Sequence, residues 1–261
     1  MKYVLIFLLA IPFFAFSQSD KPKVISIYPT TDSIPVNVLR FYIQFSKPMQ
    51  EMEILKHIHL VNSQGEDMTG VFYENQYELW NENRTMVTLI IDPGRVKTGL
   101  LANQSMGRAF EEKQQYELRV DSLLIDFDNN NLEANFSKKF VAIVEDKTPP
   151  NIEMWKYSFP TKNTKNELNI AFKDCIDIIS ATTYIKVLKD KKEIEGTIML
   201  DKNGTNWSFK PKINWQKGNY EIWVHPALED IAANSVNQIF DHKVSDFKNE
   251  KMTQKINIQI K

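Results

Sequence analysis

The sequence has one cysteine, eight glycines, four histidines and almost no net charge, and these shortages exclude several classes of protein. A single thiol, Cys175, cannot form a disulfide within the chain, so packing must hold the fold together. The 32 basic and 33 acidic side chains leave a net charge of -1, which provides no positive surface for nucleic acid. The glycines form neither a Gly-x-Ser-x-Gly nucleophile elbow nor a complete phosphate-binding loop.

Long hydrophobic runs are also scarce, apart from one at the start of the chain. Lys2 precedes an apolar run over residues 3–16, and small residues at 15–17 fit a cleavage site before Gln18. The run is shorter than the ~20 residues that span a bilayer as a helix. We therefore predict a secretory signal peptide over residues 1–17, with an uncleaved membrane anchor as the alternative. The protein is expected to be exported to the periplasm, the cell surface or the medium.

Most of the remaining chain alternates apolar and polar residues, which is typical of β-strands that have one buried face. The pattern is clearest over 39–45 and recurs over 116–120, 168–172, 220–224 and 256–260. The last of these either completes the second half of the protein or adds a strand to a partner's sheet. Residues 95–109 lack the alternation and predict a short helix or a long loop inserted between two strands. The paired prolines Pro149 and Pro150 predict a stiff linker.

The chain also contains an internal repeat. Residues 116–136 align without gaps on residues 220–240, and seven of the 21 positions are identical. The repeated pattern predicts a strand, a turn opened by Asp126 or Asp230, and a return to the core. We expected Asn130 and Asn234 to take the left-handed backbone conformation in these turns. The repeat predicts two tandem β-sandwich domains, over 22–146 with the insertion at 95–109, and over 148–261.

Two motifs resemble a known family. Residues 29–49, with Pro35-Val36-Asn37 and Phe45-Ser46-Lys47-Pro48-Met49, are similar to the opening of a bacterial immunoglobulin-like domain of the S-layer SbsA type. The family's later turn is matched by Leu124-Ile125-Asp126 and Leu228-Glu229-Asp230, although Asn129 and Ala233 replace its usual glycine. The second half lacks the Phe-Ser-x-Pro-Met element. The resemblance implies an all-β fold of two tandem immunoglobulin-like β-sandwiches, used as a spacer, structural or adhesion module without catalysis.

Candidate ligand sites are few. Asp126 and Asp128 present oxygens that calcium favours, but the spacing of a calcium-binding loop is absent, and we interpret them as a turn stabilised by side-chain-to-backbone hydrogen bonds. His57 and His59 would share one face of a strand, where they are surface residues or, less simply, metal ligands. Cys175 fits a small buried hydrophobic residue. We predict no catalytic, metal-binding or cofactor-binding residues.

Tryptophan is the remaining candidate for binding, because four of the five tryptophans lie in the second half. Trp215 and Trp223 either stack on a ligand from an exposed position or pack in the core and its rim. The sequence predicts a non-enzymatic, exported structural or interaction module whose partner is a protein or polysaccharide at the cell surface. The alternatives are a glycan-binding or surface-polymer-binding module, and an accessory enzyme or hydrolase. An enzyme would need a pocket of converging titratable groups between the halves or under residues 95–109.

Overall fold

The computed structural model describes residues 20–242 and 252–261, so the predicted signal peptide lies outside the described residues. The chain has an all-β sandwich fold built from four four-stranded sheets, which confirms the fold class predicted from the alternating pattern. No helix in the described ranges is long and apolar enough to cross a bilayer.

The strands of the first half are β1 Val24–Tyr28, β2 Ser33–Pro35, β3 Arg40–Phe45, β4 Ile58–Val61, β5 Leu79–Trp80, β6 Met86–Ile90, β7 Gln115–Val120 and β8 Phe136–Ile143. Those of the second half are β9 Lys156–Ser158, β10 Leu168–Ala171, β11 Ile185–Lys189, β12 Lys192–Glu193, β13 Gly196–Leu200, β14 Asn206–Pro211, β15 Gly218–Val224 and β16 Gln254–Ile260.

The first half forms one sheet in the order β1-β3-β6-β5 and a second in the order β2-β8-β7-β4. Phe41, Ile43 and Phe45 are buried on the inner face of β3, as their alternation predicts. They belong to the N-terminal core, the cluster of buried apolar side chains from both sheets. β2 runs parallel to β8 and covers its outer edge, with Ser33 opposite Val141.

Residues 95–109 include two short helices, α1 Pro93–Val96 and α2 Leu101–Met106, rather than one helix or one loop. Asp92 caps α1 by accepting a hydrogen bond from the backbone nitrogen of Gly94. Arg95 is only 8% exposed, and its guanidinium donates to the backbone carbonyls of Gly70, Gly107 and Arg108. These three bonds anchor both ends of the helical segment to the first half.

The second half forms one sheet in the order β13-β14-β10-β9 and another in the order β12-β11-β15-β16. A third helix, α3 Ile178–Tyr184, precedes β11. Buried apolar residues of these elements form the C-terminal core, which includes Trp207 and Trp215. β16 pairs with β15 over seven residues, and its Ile258 and Ile260 are buried in this core. The last strand therefore belongs to the second half of the same chain.

The two halves repeat one strand order. β1-β3-β6-β5 corresponds to β9-β10-β14-β13, and β4-β7-β8 corresponds to β11-β15-β16. Two short one-turn helices, Ile54–His57 and Ile152–Met154, lie outside this repeat. The halves differ at both edges of this sheet, because β2 has no counterpart among the described strands of the second half and β12 has none among those of the first. The exact domain limits, 22–146 and 148–261, stay a prediction.

Candidate functional site

The repeated turns have the same hydrogen bonds. Asp126 accepts from the backbone nitrogens of Asp128 and Asn130 and from the Asn130 side chain. Asp230 accepts in the same way from the backbone of Ala232 and from the backbone and side chain of Asn234. In each turn the carboxylate takes the role that a peptide carbonyl would otherwise fill.

The left-handed residues of these turns are Asn129 and Ala233, each with φ 61°, so our assignment of that conformation to Asn130 and Asn234 was wrong. The asparagines instead bond to the carboxylate from the following position. The left-handed residues occupy the place where the SbsA-type motif has glycine. The backbone shape of the glycine is thus kept although glycine itself is absent.

The two aspartates differ in their electrostatics. Burial acts to raise the pKa of Asp126, but hydrogen bonds from Asn130 and Asp128 and the charge of Lys47 hold it below its usual range. Burial raises the pKa of Asp230 to about 8, against the hydrogen bonds from Asn234 and with the help of the nearby Asp146 charge. The difference follows from location, since Asp230 lies where the two halves of the protein meet.

We call this meeting region the junction; it comprises residues 37–42, Asp146, Asp177 and residues 229–234. Its central bond is donated by the Tyr42 hydroxyl to Asp177 Oδ2 over 2.7 Å, and both side chains are buried. The second carboxylate oxygen of Asp177 caps α3 through the backbone nitrogen of Ser180. Burial raises the pKa of Asp177, and burial is likewise the largest cause of the raised pKa of Tyr42.

An ion pair lies beside this bond. Arg40 Nη1 is 2.6 Å from Glu229 Oε2, and both side chains are 29% exposed. The alternation of β3 predicts Arg40 and Tyr42 on its outer face, where they would normally meet water. In the structure that face meets the second half instead. A half-buried pair of this kind fixes an orientation more than it adds stability.

The end of the first half also takes part in the junction through Asp146, which precedes the predicted linker. The backbone carbonyl of Asp146 accepts from the side-chain amides of Asn37 at 2.7 Å and Asn234 at 3.0 Å. Its backbone nitrogen donates to Asn37 Oδ1 at 2.9 Å. The chain just before the linker is therefore held by an asparagine from each half, and both asparagines are at most 6% exposed.

Apolar contacts extend the junction. Ala233 from the second half is buried in the N-terminal core, and Phe240 packs against the same core. Lys97 Nζ lies 4.4 Å from the centre of the Phe240 ring. The hydroxyl of Thr98 donates to Asp241 at 2.6 Å, which ties the inserted helical segment to the second half.

The junction leaves no room for a substrate. The cavity beside Tyr42, Cys175 and Asp177 has a volume of about 10 Å³, about enough for one water molecule. Burial raises the pKa of Cys175 to about 12, and its sulfur lies 3.0 Å from the carbonyl of Asn203. The thiol is thus held protonated at neutral pH and is a poor nucleophile. Titratable groups converge in the junction, but they bond to one another across the two halves and do not line a pocket that could hold a substrate.

The two candidate tryptophans, Trp215 and Trp223, lie in different environments. Trp215 is 2% exposed and donates its indole N–H to the carbonyl of Asn166 at 2.8 Å. Of the two alternatives for Trp215, core packing therefore applies, because the ring fills the C-terminal core beside Phe209 and Tyr220. A buried ring has no free face for a ligand to stack on.

Trp223 lies on the outer face of β15 and is half-buried. Its indole N–H donates to Glu221 at 2.6 Å, and Lys255 Nζ lies 4.4 Å from the ring centre. In the register of the sheet, Trp223 is flanked by Lys186 on β11 and Lys255 on β16. The tryptophan is accessible, but part of its surface is already covered by a lysine of its own sheet.

The remaining metal candidates do not gather into a cluster. His57 ends a one-turn helix and only His59 lies on β4, so the expectation of a shared strand face was wrong. His59 lies 3.2 Å from both Asp67 and Asp121. Over residues 20–242 and 252–261, no three His, Cys, Asp or Glu side chains are placed to hold an ion together.

A groove in the first half was not found from the sequence. It has a volume of about 760 Å³ and is lined by residues 51–56, 73–79 and 88–90. Tyr73 and Tyr77 are 50% and 72% exposed, and several glutamates surround them. The tyrosines lie in a loop without strand periodicity, so only the local density of aromatic residues over 72–80 could have indicated them.

Comparison with known proteins adds little to this geometry. Solved structures that resemble the chain include domains 1–6 of the surface-layer protein SbsC, the part of native alpha-2-macroglobulin from Escherichia coli that spans domains MG0-NIE-MG1, and murine CEACAM1b. Their identities to this chain are 12%, 10% and 9%, with TM-scores of 0.33, 0.31 and 0.22. The matches cover 93%, 79% and 92% of this chain and 41%, 67% and 99% of those chains. No protein-family model matches the chain, and no curated protein matches it. Similarity this distant supports no functional argument.

Proposed function

We propose that the protein is a non-enzymatic, exported structural module, made of two tandem immunoglobulin-like sandwiches of the SbsA type, that works as a rigid spacer. The observation that carries this proposal is the junction, where Arg40 and Tyr42 from the first half bond to acidic residues of the second half. Asn234 of the second half also donates to the backbone carbonyl of Asp146 at the end of the first half. Domains joined by a linker alone are expected to move relative to each other. A spacer that positions a partner at the cell surface requires instead that its two domains keep one fixed orientation.

The buried polar bonds give a physical reason for rigidity. Rotation of one half would leave Asp177 without its tyrosine partner and would expose Ala233 from the N-terminal core. An unsatisfied buried acceptor costs about 1–3 kcal/mol, and a charged one costs more. One orientation is thereby favoured over the range that a free linker would allow.

Small-angle X-ray scattering tests the spacer. The wild type is expected to scatter as one rigid particle, whereas Arg40→Ala/Tyr42→Phe should show a larger radius of gyration and a broader distance distribution. The matched control is Lys212→Ala/Tyr157→Phe, which removes an ion pair and a tyrosine hydroxyl within the second half alone. Wild-type scattering that fits only a set of many interdomain orientations would contradict the proposal.

The groove around Tyr73 and Tyr77 supports a second candidate, a glycan-binding or surface-polymer-binding module. Exposed tyrosines offer apolar faces with polar edges, which suit the stacking of sugar rings. The face that carries Trp223 is a weaker site, because Lys255 already covers part of its ring. Saturable binding to a polysaccharide that is lost in Tyr77→Ala but kept in Trp223→Ala would favour the groove.

A further inference from the structure

The outer edge of β16 is one of two places where the corresponding sheets of the two halves differ, the other being β12 beside β11. In the first half, β8 is paired on one side with β7 and on the other with β2. In the second half, β16 is paired on one side with β15, and no other described strand pairs with it. The residues that would correspond to β2 are 160–162, and they form no strand. Among residues 20–242 and 252–261, no backbone hydrogen bond is made on that side of β16.

The sequence of β16 contains little that would block pairing. Gln254–Ile260 alternates isoleucine with polar residues and contains neither proline nor glycine. Proteins protect exposed edges with bulges, proline, short strands or charged residues, especially lysine. The register with β15 is continuous over all seven pairs, so no bulge twists this edge away.

Lys255 is the one charged residue of β16, and it is turned away from the open edge. Its ammonium group lies 4.4 Å from the centre of the Trp223 ring, and Trp223 belongs to β15, on the paired side. A lysine held there does not guard the opposite side of the strand. Trp223 therefore holds the Lys255 side chain on the paired side of β16, a role distinct from both core packing and ligand stacking.

We propose that β16 pairs with β16 of a second copy of this chain, antiparallel and centred on Asn257, so that the two sheets join into one. This register places Asn257 opposite Asn257, Lys255 opposite Gln259 and Ile256 opposite Ile258. No like charges meet, and the isoleucines of both copies lie on the same side of the joined sheet. Half-buried Ile256 gains an apolar neighbour, whereas Ile258 is already buried.

Self-pairing is favoured over a different partner because the strand is complementary to itself. An antiparallel twofold pairing centred on any residue keeps the apolar face of each copy in line, and the centre at Asn257 is the one that also overlaps all of residues 254–260. The outward side is neutral apart from Lys255, so the edge has no charge that would select a strongly acidic or basic strand.

Sedimentation velocity from low micromolar to near-millimolar concentration tests the proposal on the purified protein. The wild type is expected to show a reversible monomer–dimer equilibrium. Asn257→Lys should weaken association by about fivefold or more, because two ammonium groups then face each other at the twofold axis. Asn219→Lys is the matched control, since it adds the same charge to the same face on β15 and should leave dimerisation unchanged.

A mixing experiment separates pairing from loss of folding. Asn257→Glu alone should also be monomeric, but an equimolar mixture with Asn257→Lys should restore the dimer, because opposite charges then meet at the centre. A wild type that is monomeric at all concentrations overturns the proposal and leaves the edge to a strand of another protein. A dimer that Asn257→Lys does not weaken, or that Asn219→Lys weakens equally, also overturns it.

Discussion

At the scale of single residues, the same side chain performs different tasks in the two copies of one turn. Asp126 and Asp230 accept equivalent hydrogen bonds, and both are nearly inaccessible, at 2% and 1% exposure. Only Asp230 lies in the junction, near the charge of Asp146. Its position should make the stability of the protein depend on pH in a direction opposite to that of Asp126.

Asp230→Asn should flatten the pH dependence of stability between about pH 4 and 8. The folded state holds a proton on Asp230 up to about pH 8, while the unfolded chain releases it near pH 4. The free energy of unfolding of the wild type therefore falls as pH rises through this window, by up to about 1.4 kcal/mol per pH unit. Urea unfolding at a series of pH values measures the slope of unfolding free energy against pH. Some slope should remain in Asp230→Asn, because the pKa of Asp177 is also raised in the folded state.

Asp126→Asn is the control with the opposite sign. The pKa of Asp126 is lowered in the folded state, so its contribution is present above the unfolded value near pH 4 and is lost as pH falls. This substitution should alter the acid end of the curve and leave the slope between pH 5 and 8 unchanged. Equal slopes for wild type and Asp230→Asn would refute the role given to Asp230.

At this scale, the hydrogen bonds within a turn could be predicted from the sequence, but whether a given side chain is buried or exposed could not. The turns at Asp126 and Asp230 were identified from their spacing, because a carboxylate that bonds to backbone two to four residues onward is a local event. The sequence left two alternatives for Trp215, because the polar turn Gln216-Lys217-Gly218 follows it. Whether a ring beside a polar turn points inward depends on strands distant in the sequence.

At the scale of elements, the strands and hairpins followed from period and turn chemistry. The pair Asn203-Gly204 is typical of a hairpin turn, and Gly204 lies between β13 and β14 with φ 69°. A Cβ at this position would lie 2.8 Å from the sulfur of Cys175 and 3.1 Å from the carbonyl of Ile176. The glycine is therefore required both for its backbone angle and for the close approach of a neighbouring segment.

Gly204→Ala should destabilise the protein more than Gly65→Ala. Both glycines have positive φ, at 69° and 84°, so the cost of a left-handed alanine, about 1–2 kcal/mol, is shared. Only the alanine at 204 would collide with other atoms, which adds about 1–3 kcal/mol. Thermal unfolding of the two variants measures the difference, and equal losses would show that the approach to Cys175 is relaxed without cost.

Residues 95–109 are a segment whose secondary structure could not be fully predicted from the sequence. The sequence indicated a helix or a loop, and the structure contains two short helices separated by Gly99. The segment is anchored by Arg95, whose bonds to distant backbone carbonyls have no signature in a local pattern. The outer edge of β16 likewise could not be predicted, since it depends on how strands distant in the sequence pair within the described ranges.

At the scale of the whole molecule, the internal repeat predicts two similar bodies but not how they meet. The outer face of β3 carries Arg40 and Tyr42, which sequence alone would leave in water. The structure places Glu229 and Asp177 against them. The junction is the feature from which the proposed spacer function follows, so the coupling of the two halves is the central claim.

Differential scanning calorimetry of the wild type beside Tyr42→Phe tests that coupling most directly. The wild type is expected to unfold in one transition whose calorimetric and van't Hoff enthalpies agree, since loss of one half would strand the buried groups of the other. Tyr42→Phe removes a buried bond worth about 1.5–3 kcal/mol and should split the transition in two. Tyr157→Phe, whose hydroxyl contact is a weak 3.5 Å, should leave a single transition. Two independent transitions in the wild type would contradict the account.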